Sequence, residues 1–142
     1  VYRRALKYGL PTDYLKSYNE YLGVSKNWEW VDDIVITLSD GSRCFFTHGM
    51  SANILQLSMQ MGMHVVQGHY HSKFSIGYFS NPDQLVWGMQ VGCLTSQSSL
   101  AFDYAKNFKS RFIMGCGMII DGQPKLMPMV FGKDGEWIKK IA

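Results

Sequence analysis

Apolar and polar positions follow two periods along this chain, and the switches between them divide it into elements. Up to Gly23 the period is helical: Tyr14, Leu15, Tyr18, Tyr21 and Leu22 recur at i, i+1, i+4, i+7 and i+8, one apolar face. Thr12 after Pro11 reads as the N-cap, Asp13 falls in the first turn, and Gly23 supplies the stop. Before it, Tyr2-Arg3-Arg4-Ala5-Leu6-Lys7 reads as a short basic helix ended by Gly9-Leu10-Pro11. Ile34-Val35-Ile36-Thr37-Leu38 and Arg43-Cys44-Phe45-Phe46-Thr47 then flank Asp40-Gly41, which predicts a hairpin.

From Ser51 to Met61 the helical period returns, with Ile54, Leu55, Leu57, Ser58 and Met61 on one side. Val65 to Gln67, Ser75 to Phe79 and Gln84 to Val91 read as strands, the last following the Asn81-Pro82-Asp83 turn. Ser99 to Phe108 fits a helix capped from the Ser96-Gln97-Ser98-Ser99 stretch. Phe112 to Ile120 and Lys125 to Phe131 form a second hairpin about Asp121-Gly122. About seven strands and three or four helices, with hairpin links in the second half, make an α+β or α/β sandwich with an antiparallel part.

Composition narrows this further. With 142 residues, 46% hydrophobic and 18% charged, the chain has room for one domain over 1–142 with a sizeable core. No internal repeat or Pro/Ser linker divides it. No apolar run approaches the ~18 residues of a membrane span. The start, Val1-Tyr2-Arg3-Arg4-Ala5-Leu6, lacks the apolar run and cleavage site of a signal peptide. It also lacks an initiator Met, so the chain is expected to begin inside something longer or to have been processed.

Net charge is +3, which permits an anionic substrate without the dense basic footprint of a dedicated DNA binder. Cys44, Cys93 and Cys116 are odd in number and form no C-x-x-C, so they read as buried small hydrophobes in a reducing compartment. Nine Met and a 14% aromatic share point to a heavily packed interior or a sticky face.

The candidate chemistry lies in the histidines. His48, His69 and His71 sit where an apolar strand runs into a glycine-containing turn, in Phe45-Phe46-Thr47-His48-Gly49 and in Val65-Val66-Gln67-Gly68-His69-Tyr70-His71. A strand end fixes the backbone while the loop after it stays open to ligand. The i, i+2 spacing of His69 and His71 places both imidazoles on one side of an extended segment, with Tyr70 on the other and Gly68 allowing close backbone approach. Three converging neutral imidazoles make most of a metal shell. His64 lacks this context and reads as a surface or satisfied core histidine.

The pattern Thr47-His48-Gly49 followed by Gly68-His69-Tyr70-His71 resembles the last two signature blocks of the calcineurin-like metallophosphoesterases, and the overall run is similar to their phage-encoded branch. The resemblance implies an α/β sandwich of the metallophosphoesterase type, here an incomplete half of the four-layer αββα fold. It implies that His48 and His69 ligate the second of two divalent ions (Mn, Zn, Fe or Ni) and His71 the first. The activity implied is hydrolysis of phosphomonoesters or phosphodiesters, nucleic acid included, in the cytoplasm, which for a phage protein is the host's. The family's Asp-x-His, Gly-Asp-x-x-Asp and Gly-Asn-His blocks are missing from the residues before His48. The bridging Asp, the ligand Asn and the proton-donating His would then come from a separate amino-terminal half or another chain.

Carboxylates within the chain have other duties. Asp32-Asp33 precede a strand, Asp40, Asp121 and Asp134 sit in turn dipeptides, and Asp103 lies on a predicted helix. Lys106, Lys109 and Arg111 near Phe108 and Phe112, and Arg3, Arg4 and Lys7, form two small basic clusters that read as solvated helix faces. Trp28-Glu29-Trp30 reads as core or interface, and Gly115-Cys116-Gly117 as close sheet packing. Two further classes compete with the phosphoesterase: a non-catalytic module acting through a partner chain or as a homo-oligomer, and a weakly basic nucleic-acid-binding domain.

Overall fold

The computed structural model describes residues 2–9, 11, 15–95, 112–134 and 137–141. They fall into two compact units, 1–31 and 32–142.

The first unit holds two short helices, α1 (Tyr2–Lys7) and α2 (Tyr18–Leu22). The helix expected from Thr12 starts later, because Ser17 and Glu20 form a capping box: the Ser17 side chain accepts from the Glu20 N–H, and the Glu20 carboxylate accepts from the Ser17 N–H at 2.8 Å. Leu15 to Ser17 are not helical, and Thr12, Asp13 and Tyr14 lie outside the described residues. Gly23 closes α2 in the left-handed conformation, as expected. The apolar face proposed for this helix is not buried: Tyr18, Tyr21 and Leu22 are all exposed. Trp28 and Trp30 are exposed as well, so the reading of Trp28-Glu29-Trp30 as core is corrected. The two indoles stack on each other at 6.2 Å, Tyr18 leans on Trp30 at 5.4 Å, and the Asn19 side chain ties the segment together by donating to the Ser25 and Trp28 carbonyls.

The second unit is mixed α+β. Its larger sheet has the order β1-β2-β3-β5-β4, from β1 (Asp33–Thr37), β2 (Arg43–Thr47), β3 (His64–Gln67), β4 (Phe74–Ser80) and β5 (Leu85–Val91). β2, β3 and β5 run parallel, while β1 and β4 close the edges antiparallel. One helix, α3 (Ile54–Met61), links β2 to β3. Asn53 caps it by accepting from the Gln56 N–H at 3.1 Å, and Gly62 ends it. A second sheet of β6 (Gly115–Ile120), β7 (Gln123–Phe131) and β8 (Trp137–Ile141) follows. The predicted helix over Ser99 to Phe108 and the Lys106, Lys109 and Arg111 cluster lie outside the described residues.

The two-residue period of the strands sorts the core into two layers. Phe45 and Val65 face α3 and pack with Ile54 and Leu57. At Gly88 this layer is so close that a Cβ would stand 2.7 Å from the Ile54 carbonyl oxygen, so the helix backbone rests directly on the central sheet. The alternate residues, Cys44, Trp87 and Met89, face the other way and pack with Phe46, Val66, Ile119 and Leu126, the last two from the β6–β7 hairpin. Gly117 lets that hairpin approach Met89 and Val91, the close sheet packing its sequence context suggested. Among the described residues the result is one helix layer and two sheet layers. Cys44 is fully buried, which pushes its thiol up to about 12, while Cys93 and Cys116 are half-buried.

His64 is a satisfied core histidine. Its ring stacks on Trp87 at 4.4 Å and 9°, and its Nδ1 accepts the Trp87 N–H at 3.1 Å. Burial pushes its pKa below the ordinary imidazole value of 6.5, against the opposing charge of Asp40. The unfolded chain therefore binds this proton before the folded one does. Stability is full above about pH 6.5 and falls as pH drops toward the lowered folded value. His64→Phe, which keeps a ring on Trp87, should flatten that slope in urea melts run across the same range. An equally steep slope in the variant would assign the acid sensitivity elsewhere.

Candidate metal centre

β2 and β3 are parallel neighbours with Thr47 opposite Gln67, so the chain leaves both strands at the same edge of the sheet. That edge, beyond the carboxyl ends of parallel strands, is where open α/β sheets place ligands. His48 follows β2 directly, and Gly68-His69 follow β3. The two imidazoles meet there: His48 Nε2 and His69 Nδ1 are 3.1 Å apart, with ring centroids at 5.0 Å and planes at 70°. One ring nitrogen donates to the other.

The local backbone explains the meeting. His69 has φ of 64°, a left-handed conformation uncommon outside glycine and costing ~1–3 kcal/mol. Around it the Tyr70 N–H donates to the Gly68 carbonyl at 2.7 Å and the His71 N–H to the His69 carbonyl at 3.0 Å, two successive three-residue turns. The expectation of an extended Gly68–His71 segment with both imidazoles on one side is therefore corrected. The turn swings His69 onto His48, and Tyr70 packs edge-on against His69 at 5.1 Å. Gly49 completes the fit. A Cβ there would stand 2.4 Å from His69 Cβ, so any side chain at 49 has to displace the imidazole.

His71 lies beside this pair and outside it. Its ring meets Phe112 edge-on at 5.0 Å, and its carbonyl accepts from the Ile113 N–H at 2.9 Å. Burial, followed by the positive charges of His69 and His48, lowers its pKa below 6.5. The three imidazoles thus sit within reach of one another's field. Among the described residues, no three His, Cys, Asp or Glu side chains close on a common point as a ready metal shell. Asp40, as its turn position suggested, accepts from Ser42 and leaves the histidine edge to other groups.

Two residues that hold the site were not singled out from the sequence. Gln67, 1% exposed, reaches from the end of β3 into the loop after His48. Its Oε1 accepts from the Met50 N–H at 3.1 Å and the Ser51 N–H at 3.4 Å, and its Nε2 donates to the Ser51 carbonyl. Gln90, 3% exposed near the end of β5, donates to the Ala52 carbonyl at 3.4 Å. The signal was there: an amide ending an apolar strand has to find partners inside the fold.

Comparison with protein-family models, with curated proteins and with solved structures gave no match.

Proposed function

We propose that this chain carries the histidine part of a metal-dependent phosphoesterase centre, as its sequence resemblance implies, with His48 and His69 sharing one divalent ion and His71 serving a second. The observation that carries this reading is the 3.1 Å separation of His48 Nε2 and His69 Nδ1. Two nitrogens bound to one ion at ~2.0–2.1 Å lie ~3.0 Å apart at a right angle and ~3.4 Å apart at a tetrahedral angle. The pair falls inside that interval, and turning each ring by roughly 35–45° off the hydrogen-bond axis would let both lone pairs meet at one ion. His71, held apart on Phe112, matches the division of ligands that the resemblance implies.

A divalent ion held there supplies Lewis-acid polarisation of a phosphoryl oxygen in a phosphomonoester or phosphodiester. The protein's own contribution is orientation. Gly49 leaves the space that His69 fills, Gln67 fixes the loop that carries His48, and the left-handed turn points His69 across the strand ends. An all-imidazole donor set suits Zn, Fe or Ni, and Mn once oxygen donors join it. Those oxygen donors, and the proton donor to the leaving group, belong in this reading to an amino-terminal partner segment.

Calorimetric titration with Mn²⁺ and Zn²⁺ tests it. The chain should take up about one ion at the His48–His69 pair, and His48→Ala and His69→Ala should each weaken binding by at least ~10-fold. Absence of binding at millimolar metal, or binding that both variants retain in full, would refute the proposal.

A further inference from the structure

At the far side of the larger sheet from β4, the edge strand β1 has, among the described residues, no neighbour on its outer side within its sheet. All five of its residues are exposed, with Ile34, Val35 and Ile36 keeping 44%, 41% and 44% of their surface accessible. Soluble proteins usually blunt such an edge with Lys, Pro or a bulge. Here no Lys, Arg or Pro falls between Asp32 and Leu38, and the pairing with β2 runs regularly over five residue pairs. The strand is regularly paired, apolar at its centre and exposed.

Its sequence also reads nearly the same in both directions, Asp33-Ile34-Val35-Ile36-Thr37. We propose that β1 pairs with β1 of a second copy of this chain, antiparallel and centred on Val35. In that register Val35 meets Val35, each Ile34 meets an Ile36, and each Asp33 carboxylate meets a Thr37 hydroxyl that can donate to it. Parallel pairing in register would instead set Asp33 against Asp33 and Asp32 against Asp32, like charges directly opposed. Facing residues of an antiparallel pair share a side of the sheet. Ile34 and Ile36 lie on the side of Phe46 and Cys44, so four isoleucines would extend that apolar layer, and two Val35 side chains would extend the Phe45 layer.

One five-residue strand pair buries less than the ~800 Å² per partner of a standard interface, so the dimer is weak and depends on concentration. β1 contributes none of the three histidines, and the inference stands apart from the metal centre.

Sedimentation equilibrium of this chain from micromolar to near-millimolar concentration reads the association directly. The mass should climb from one chain toward two, and Val35→Lys, which sets two ammonium groups face to face, should hold it at one with an unchanged circular dichroism spectrum. Register is tested by mild oxidation with peptide mapping. Val35→Cys should give a disulfide between the two copies at position 35. Thr37→Cys should give none, since its two copies lie ~13 Å apart along the paired strands. A chain that stays monomeric throughout, a dimer that survives Val35→Lys, or equal cross-linking at both positions would each overturn the proposal.

Discussion

Trp87→Ala should lower the unfolding free energy by ~3–5 kcal/mol, the range for removing a fully buried large aromatic. Trp87 is 1% exposed and stands at the centre of the layer between the two sheets, beside Cys44 and Met89. Truncation removes three things together: the stack on His64, the hydrogen bond from Nε1 to the Gly122 carbonyl at 3.1 Å, and the ring volume between the sheets. That hydrogen bond joins β5 to the turn of the β6–β7 hairpin, so its loss loosens the contact between layers as well as the core. The site resists collapse, because the strand on one side and the hairpin on the other are held by their own ladders. Against a typical stability of ~5–15 kcal/mol, this is a large share of the total. Trp87→Phe keeps part of the stack and should cost clearly less. Urea unfolding checks both, with the midpoint falling and the slope unchanged. A loss below ~1 kcal/mol for Trp87→Ala would mean that the hairpin layer is not held through this residue.

Why Trp87 matters could not be seen from its neighbours in sequence, and this marks the boundary of what local pattern reveals. The β1–β2 hairpin, α3, the strands around Val65, Ile76 and Met89, and the β6–β7 hairpin follow from alternation, caps and Asp-Gly turns, all of which act over a few residues. Two elements escaped. The start of α2 is set by the Ser17–Glu20 capping box, six residues before the Gly23 stop, a stronger local signal than the Thr12 cap that the apolar period favoured. β8 (Trp137–Ile141) carries Lys139 and Lys140 across its alternation, and its pairing with β7 shifts register at Val130/Phe131, so neither period marks it. The parallel order of β2, β3 and β5 is non-local and left no trace in the pattern.

The same boundary runs through the candidate site. The strand-to-glycine context placed His48 and His69 at strand ends, because a glycine after an apolar run marks where a chain leaves a sheet; that these two strands are neighbours came only from the fold. It could not give the left-handed backbone at His69, because the i, i+2 placing of His69 and His71 in sequence is the same for a turn as for an extended segment. Nor could it assign the amides, since a glutamine at a strand end is mostly solvated unless a neighbouring loop lies over it.

Gln67→Leu should separate the fold from the site. Leucine keeps the approximate volume and the apolar packing at the end of β3 but leaves the Met50 and Ser51 N–H groups and the Ser51 carbonyl without their partners. At ~1 kcal/mol for each hydrogen bond, and more for any group left buried, the cost is ~2–4 kcal/mol. Because those groups belong to the loop directly after His48, the damage concentrates at the His48–His69 pair. Hydrogen exchange should show protection lost at the Met50 and Ser51 amides while Val65 and Met89 stay protected. On the proposed metal centre, Zn²⁺ affinity should fall by ~10–100-fold, the usual range for losing a group that orients a ligand. Gln90→Leu provides the comparison, since its contacts to Ala52 and Ser75 are longer, at 3.4 Å, and lie further from His48. It should cost less stability and leave metal affinity nearly intact. Equal effects of the two variants, or full protection of Met50 and Ser51 in Gln67→Leu, would show that the loop is held by something other than this buried amide.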